Sequence, residues 1–572
     1  MTGSPGERRT SDRRTWRAAR TVRTARTAAA DHAWFGVALC AAVAVYVAYL
    51  SAHTHPAYEG GLYLRMAAEI RAHGYAPPER IPHYTARGVP FAYPPLAFYA
   101  AALLVDLTGV DPVSLALYLP GIATIACLAP YYLLAREFLG PTRRAGVATV
   151  LFAVTPPVLR WHISAGGLVR APAFLLTLTG LYVGVRLFRT GGEAERRRRH
   201  LVPAAAVLFG LTVLTHPVYA TFFATSYLLF FAAFDRTARG LLRGAAVAAG
   251  GLALSSPWLV HVVSTHGADV FLAASGTHTG LGGGLHRLGS RFVYPLSVMD
   301  ALTPFYALAF AGALYALYRR RFFLPLWLLV AGYFVGKQRF VFVPGAMLSA
   351  ALLFDLLAPR VAGYVRSARR RRTVETVVAA TLLVCAGALG VAFAASALQT
   401  AHEGGHTQPQ TVDSADLEAM AWARAHTSPS ADFVVLGDGA EWFPLYAERT
   451  ILASPWGAEW TTTGEYHRQE ALFKAVSSCR EQTCLRRSLA AVDGDPEYVY
   501  VPTDAYTVQG EERGPPTELI ASLRGSDRYE LRFENEGAVI FRIADGDAVG
   551  SGSDSTRRPT ATASEEGAEA AA

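Results

Sequence analysis

The sequence predicts a polytopic α-helical membrane protein carrying a C-terminal extracytoplasmic α/β domain. Three observations lead to this fold class. Hydrophobic residues make up 52% of the 572 positions and charged residues only 17%, against about 25% charged in soluble domains. Apolar runs of near bilayer length recur as far as residue 397. Beyond it the composition turns polar, and short β-rich runs alternate with amphipathic helical ones.

The 53 Lys and Arg against 45 Asp and Glu leave a formal net charge of +8. The arginines stand in short clusters between apolar runs, the pattern of cytoplasmic membrane loops rather than of nucleic-acid binding. Residues 1–32 are Arg-, Ser- and Thr-rich without apolar periodicity and read as a disordered basic cytoplasmic tail. Residues 33–52 read as an uncleaved anchor, because the basic lead-in is long and the run exceeds a signal-peptide core. The N-terminus is then inside and the loop 53–112 outside.

Further apolar runs lie at 113–135, 145–160, 171–188, 201–216, 217–234, 244–263, 301–318, 322–337, 341–358 and 374–397. Arg136 to Arg144, Arg196 to Arg199, Arg236 to Arg243, Arg319 to Arg321 and Arg366 to Arg372 alternate with pairs of these runs, which places them all inside. Residues 91–107 break the alternation if they cross. The run is short, opens on Pro94 and Pro95 and ends near Asp106 and Asp111. It is therefore expected to lie along the outer interface or re-enter. About eleven transmembrane helices result, with the domain at 413–545 outside. Residues 398–412 form a linker, and 546–572 a disordered tail. The Gly-rich outer loop 264–300 reads as a mobile lid or a plain connector.

Within the C-terminal domain, DSADLEAMAWARAHT carries helical periodicity behind an Asp/Ser cap. DFVVLG and EYVYVP read as buried strands, and YELRFENEGAVIFRI as a strand pair. Cys479 and Cys484 stand in this domain and are either disulfide-bonded or free. Cys40, Cys127 and Cys385 lie in apolar runs, and no cysteine spacing suits a metal.

The first polar loop, His53 to Pro95, gathers the acids, histidines and tyrosines that could do chemistry. Glu59 follows the anchor and precedes GLYLRMAAEIRAHGY, whose apolar positions suit a helix on the membrane interface. A carboxylate there could serve as general base for an acceptor arriving from water, or it could cap that helix or stand solvated. His53 and His55 at i, i+2 could face one way, but no acidic cluster accompanies them, and no metal is assigned. Tyr93-Pro94-Pro95-Leu96 starts the interfacial helix with proline, and Tyr93 is carried as a candidate substrate contact. His216 in LTHP lies where two apolar spans meet, facing a cavity or bonded in a turn. Arg170 in GGLVRAP, with Lys337 and Arg339 in GKQRF, are cations on the outer side against the trend of the chain. They suit a lipid phosphate, or snorkel without a ligand.

These features resemble the GT-C class of membrane glycosyltransferases, the group holding protein O-mannosyltransferases and aminoarabinose transferases. The resemblance rests on an anchor, an acid near the start of the first outer loop, EGGLYLRMAAEI, a YPPL element and many later spans. LTHP, the RF pair before a late span and DLEAMAWARAHTSPSADFVVLGDGAEWFP are similar to members with an outer C-terminal domain. It implies sugar transfer at the outer face of the plasma membrane from a polyprenyl- or dolichyl-phosphate donor. The acceptor would be a glycan, protein or lipid, with no cofactor beyond the lipid-linked co-substrate. It implies Glu59 as base, although such proteins commonly carry Asp or an Asp-Glu pair where this chain has Tyr58-Glu59. The alternative is a non-catalytic membrane subunit or lipid-binding protein of the same fold.

Overall fold

The computed structural model describes residues 33–140, 142–189, 195–277, 303–396 and 408–544. The expected tails at 1–32 and 546–572, and most of the 264–300 and 398–412 segments, lie outside the described residues. Among the described residues seven helices are long and apolar enough to cross a membrane: Ala33–Ala52, Pro112–Leu139, Gly167–Arg189, Pro217–Phe234, Ala238–His266, Gln338–Gly363 and Ala368–Ala394. The other expected runs form shorter helices, among them His200–Val213, Thr303–Tyr318 and Phe323–Val335. The chain is a multi-pass membrane protein.

Prolines decide where the shorter pieces break. The expected 145–160 span is instead Thr142–Val154 followed by the turn Pro156–Leu159. Thr155 between them is extended, at ψ 116°, because a residue before proline is pushed out of the helical region. Asp111 caps the Pro112 helix by accepting from Ser114 N at 2.8 Å, with proline in the first turn.

The 91–107 run forms the helix Leu96–Thr108. Thirteen residues reach about 20 Å, short of the roughly 30 Å bilayer core. Its far end is tied back to the first loop, where Asp106 accepts from Arg71 Nε at 2.7 Å and from the Tyr75 hydroxyl at 2.6 Å.

The helix expected on the interface, Gly61–Ala72, is largely enclosed by protein. Eight of its twelve residues are buried, Leu62, Leu64, Met66 and Ile70 among them. One apolar core joins it to the Leu96–Thr108 helix and to the C-terminal domain. It is a packed layer between the Leu96–Thr108 helix and the C-terminal domain.

The C-terminal domain is built on a five-stranded sheet in the order 450–451, 432–435, 498–502, 538–543, 529–534. The first three strands run parallel, and the last two pair antiparallel. Strand alternation sends successive side chains to opposite faces. Val434, Val499, Val501 and Phe541 point to the domain's own helices, beside Leu519 and Leu523. Phe433, Val435, Tyr498, Tyr500 and Ile540 join the core shared with the first loop. The second face thus fastens the domain to the membrane body. Cys479 and Cys484 are disulfide-bonded.

The end of the linker is also fastened. Gln410 Oε1 accepts from Thr54 N and His55 N at 3.0 and 3.2 Å, and Pro409 O accepts from Tyr58 N at 3.0 Å. His53 stacks on Tyr49 at 4.4 Å and sets its ring nitrogens against Tyr49 O and Gln408 O. His53 is buried and His55 half-buried, so the two do not share the strand face imagined for them. Among the described residues no group of three or more His, Cys, Asp or Glu is arranged to hold a metal ion.

Candidate active site

The turn that presents Glu59 is held from three sides. Tyr58 sits at φ 60°, in the left-handed region that a bulky side chain rarely adopts. Its carbonyl accepts from Trp442 Nε1 at 3.1 Å, and its hydroxyl from Arg160 Nε at 2.8 Å. With the Pro409 contact, these bonds fix a conformation that costs of order 1–3 kcal/mol when unsupported.

Glu59 does not cap the following helix. Glu441, from the C-terminal domain, does: its Oε2 accepts from Gly60 N and Gly61 N at 2.9 and 2.7 Å, and its Oε1 from Leu62 N at 2.6 Å. The Glu59 carboxyl is therefore free of helix-capping duty, half-buried, and densely surrounded. Burial raises its pKa, as does the negative charge of Asp438, while the Trp456 side chain and the Arg170 charge work the other way.

Arg170 stands in the first turn of the Gly167–Arg189 helix. Its Nη1 donates to Gly166 O at 3.0 Å, and its guanidinium lies 5.0 Å from the Trp161 ring and 5.8 Å from Tyr63. Arg339, in the first turn of the Gln338 helix, is only 6% exposed. It lies 5.1 Å over Tyr219 and 5.2 Å over Phe340, and its Nε has no hydrogen-bond partner. Among the described residues neither arginine is paired with a carboxylate. Burying a cation without a counter-charge is expensive, so the buried Arg339, with the half-buried Arg170 in the same cluster, describes a place suited to an anion.

Rings link the two arginines. Tyr63 meets Tyr93 edge-on at 5.7 Å, Tyr93 meets His216 at 5.9 Å, and His216 meets Tyr219 at 5.0 Å. His216 occupies the extended position before the Pro217 helix, so its turn role and its place in the cluster coexist. The structure thus brings together Glu59, Arg170, His216, Arg339 and Tyr93. Lys337 is half-buried in the extended position before the Arg339 helix.

Several members of the cluster carry no sequence flag. His162 is fully buried, with Nδ1 against Val158 O and Nε2 2.6 Å from the Tyr219 hydroxyl. If Nδ1 donates to the carbonyl, Nε2 accepts from Tyr219. Burial, with Arg339 nearby, pushes the His162 pKa down to about 3 and keeps it neutral.

The C-terminal domain supplies Trp456, Glu459 and Trp460. Trp460 packs edge-on to Tyr93 at 5.5 Å. Burial first, and also the charge of Glu59, push the Glu459 pKa up to about 7. The same two causes, against the three backbone donors, push Glu441 up to about 8. Tyr63 and Tyr93 are raised by burial and stay neutral hydroxyls. The helix Asp269–Thr277 continues the wall, with Phe271 6.4 Å from Trp460.

Chemically, the site sets a tunable carboxylate near one guanidinium, Arg170, with a second, Arg339, further along the same aromatic wall. That combination can accept a proton from one group while holding an anion that leaves another.

No protein-family model matches the chain, and no curated protein matches it in sequence. Solved structures do match in fold. The oligosaccharyltransferase AglB from Archaeoglobus fulgidus, in complex with an inhibitory peptide and a dolichol-phosphate, aligns at TM-score 0.56 and 15% identity. The alignment covers 82% of this chain and 69% of that one. ArnT from Cupriavidus metallidurans, bound to undecaprenyl phosphate, aligns at TM-score 0.51 and 13% identity, over 90% of this chain and 98% of that one. The arabinofuranosyltransferase AftD from Mycobacteria aligns at TM-score 0.55 and 16% identity, over 90% of this chain but 40% of that one. All three are GT-C glycosyltransferases, and the chain shares their fold.

Proposed function

We propose that the chain is an integral membrane glycosyltransferase that moves a sugar from a polyprenyl- or dolichyl-phosphate donor to a hydroxyl acceptor at the outer membrane face. The observation that carries this reading is the placing of Glu59 near Arg170, and of Arg170 near the buried Arg339, whose Nε has no hydrogen-bond partner. The fold shared with AglB and ArnT, solved with dolichol-phosphate and undecaprenyl phosphate, agrees with a lipid phosphate as the anion.

In this reading Glu59 removes the acceptor proton as the acceptor oxygen attacks the anomeric carbon. The glycosidic bond to the lipid phosphate breaks, and its electron pair leaves with the phosphate. Arg339 and Arg170 stabilise the charge that builds there, worth on the order of 3 kcal/mol per donor. A single displacement inverts the anomeric centre. Tyr93 and His216 line the passage between base and phosphate, and Lys337 adds positive charge near the headgroup.

The basic clusters support an inside N-terminus, eleven crossings and an outer C-terminal domain. Purified protein in vesicles, given a radiolabelled polyprenyl-phosphate sugar and a panel of glycan, lipid and peptide acceptors, tests the reading. Transfer by wild type is the expected result. Lipid-phosphate binding without transfer to any acceptor favours the non-catalytic subunit instead.

A further inference from the structure

The C-terminal domain grips the backbone of the Glu59 turn through the segment Asp438–Trp442. Glu441 spans the turn and takes three consecutive backbone N–H groups, those of Gly60, Gly61 and Leu62. Trp442 takes the Tyr58 carbonyl, and the Tyr84 hydroxyl holds Glu441 O at 2.7 Å. The Tyr58 carbonyl and the amides of Gly60, Gly61 and Leu62 are thus gripped by two residues about 380 positions later in the chain.

The double glycine after Glu59 makes this approach possible. A Cβ on Gly61 would stand 2.6 Å from Glu441 O and 2.8 Å from Trp442 Cα. A Cβ on Gly60 would meet Ala165 Cβ at 2.5 Å. Any side chain at Gly61 would push the two segments apart. Neither glycine has a positive φ, so close packing, not turn geometry, is what they serve.

We propose that Glu441 is a positioning residue for the reaction: it clamps the Tyr58–Leu62 turn so that the Glu59 carboxyl faces Arg170 and the aromatic wall. The inference rests on the transferase reading above and gives the C-terminal domain a direct part in it. Glu441 touches neither phosphate nor acceptor. It fixes the backbone from which the base projects, and a misplacement near 1 Å at a reacting group costs roughly a hundredfold in rate.

The experiment compares wild type with Glu441→Ala, Glu441→Gln and Gly61→Ala, each full length in vesicles. Glu448→Ala, which removes an exposed acid paired with Arg424, controls for charge in the same domain. Three readouts are taken: amide hydrogen exchange at residues 60–62, undecaprenyl-phosphate binding, and kcat and KM for the lipid-linked donor. Glu441→Ala and Gly61→Ala are expected to raise exchange at 60–62 and to cut kcat roughly a hundredfold, with KM for the donor and lipid-phosphate binding within about twofold. Glu441→Gln keeps an oxygen for two of the three donors and is expected to fall between.

Unchanged exchange at 60–62 in Glu441→Ala overturns the clamp. Raised exchange with wild-type kcat overturns its role in catalysis. Loss of lipid-phosphate binding together with kcat shows a general structural collapse and also overturns the positioning role. If wild type itself transfers no sugar, the transferase reading falls, and the exchange arm still decides the clamp by itself.

Discussion

The Arg339 guanidinium lies 5.1 Å from the centre of the Tyr219 ring, with an Nε that no protein group accepts from. A buried cation resting on an aromatic face is held in place without being neutralised. Its charge stays available to a ligand.

Removing that charge should weaken the hold on the phosphate. Arg339→Ala is expected to cost about 3 kcal/mol in stabilising the leaving phosphate, seen as a fall in kcat/KM of roughly a hundredfold. Arg339→Lys should recover only part of it, because an ammonium lacks the planar fork. Equal kcat/KM in all three proteins would remove Arg339 from the mechanism.

The Tyr219 hydroxyl has a separate duty. It sits 2.6 Å from Nε2 of the buried His162. Tyr219→Phe keeps the ring beneath Arg339 but leaves an unsatisfied nitrogen, at a cost of about 1–3 kcal/mol in stability. The expected outcome is a lower midpoint of thermal unfolding in detergent with lipid-phosphate affinity nearly unchanged.

The pH dependence follows from the base. Burial and Asp438 raise the Glu59 pKa above the ordinary glutamate value of 4.5, and only the ionised form accepts a proton. Activity should therefore fall as pH drops, with its acid limb above 4.5. The charge of Asp438 is the second cause of that rise, after burial. Asp438→Asn removes this negative charge, which eases ionisation of Glu59 and moves the acid limb to lower pH. A limb that stays in place would separate Asp438 from the base.

The burial of Glu441 carries its own pH sign. Burial raises its carboxyl to about 8 in the folded protein, against the three backbone donors, which favour the ionised form. The stability linked to that rise is fully present below the unfolded value and is lost as pH rises through the folded value. Glu441→Gln, which cannot ionise, should flatten the fall of the thermal-unfolding midpoint between pH 5 and pH 9.

What the sequence revealed, and what it hid, follows from the range of each interaction. The apolar runs were legible because a bilayer demands about twenty apolar residues wherever a helix crosses. The break at Thr155 was written in Pro156 and Pro157. Glu59, Arg170, His216 and Arg339 stood out as polar residues at the ends of apolar runs. Glu441, Trp456, Glu459 and Trp460 did not, because they reach the site only through the contact of a domain far along the chain. Their nearest local sign was the acid between two tryptophans in WGAEW. The Gly60-Gly61 pair was visible, but its reason, the approach of Glu441, was not. His162 was hidden for the opposite cause: one histidine in a run of small and apolar residues reads as core, and it is core.

The central claim is that Glu59 is the base of a sugar transfer at the outer membrane face. Cell-surface glycans in a deletion strain carrying wild type or Glu59→Gln at equal expression test it most directly. The account predicts that wild type restores the missing glycan and that Glu59→Gln does not, although the variant still binds undecaprenyl phosphate. Full restoration by Glu59→Gln would contradict it.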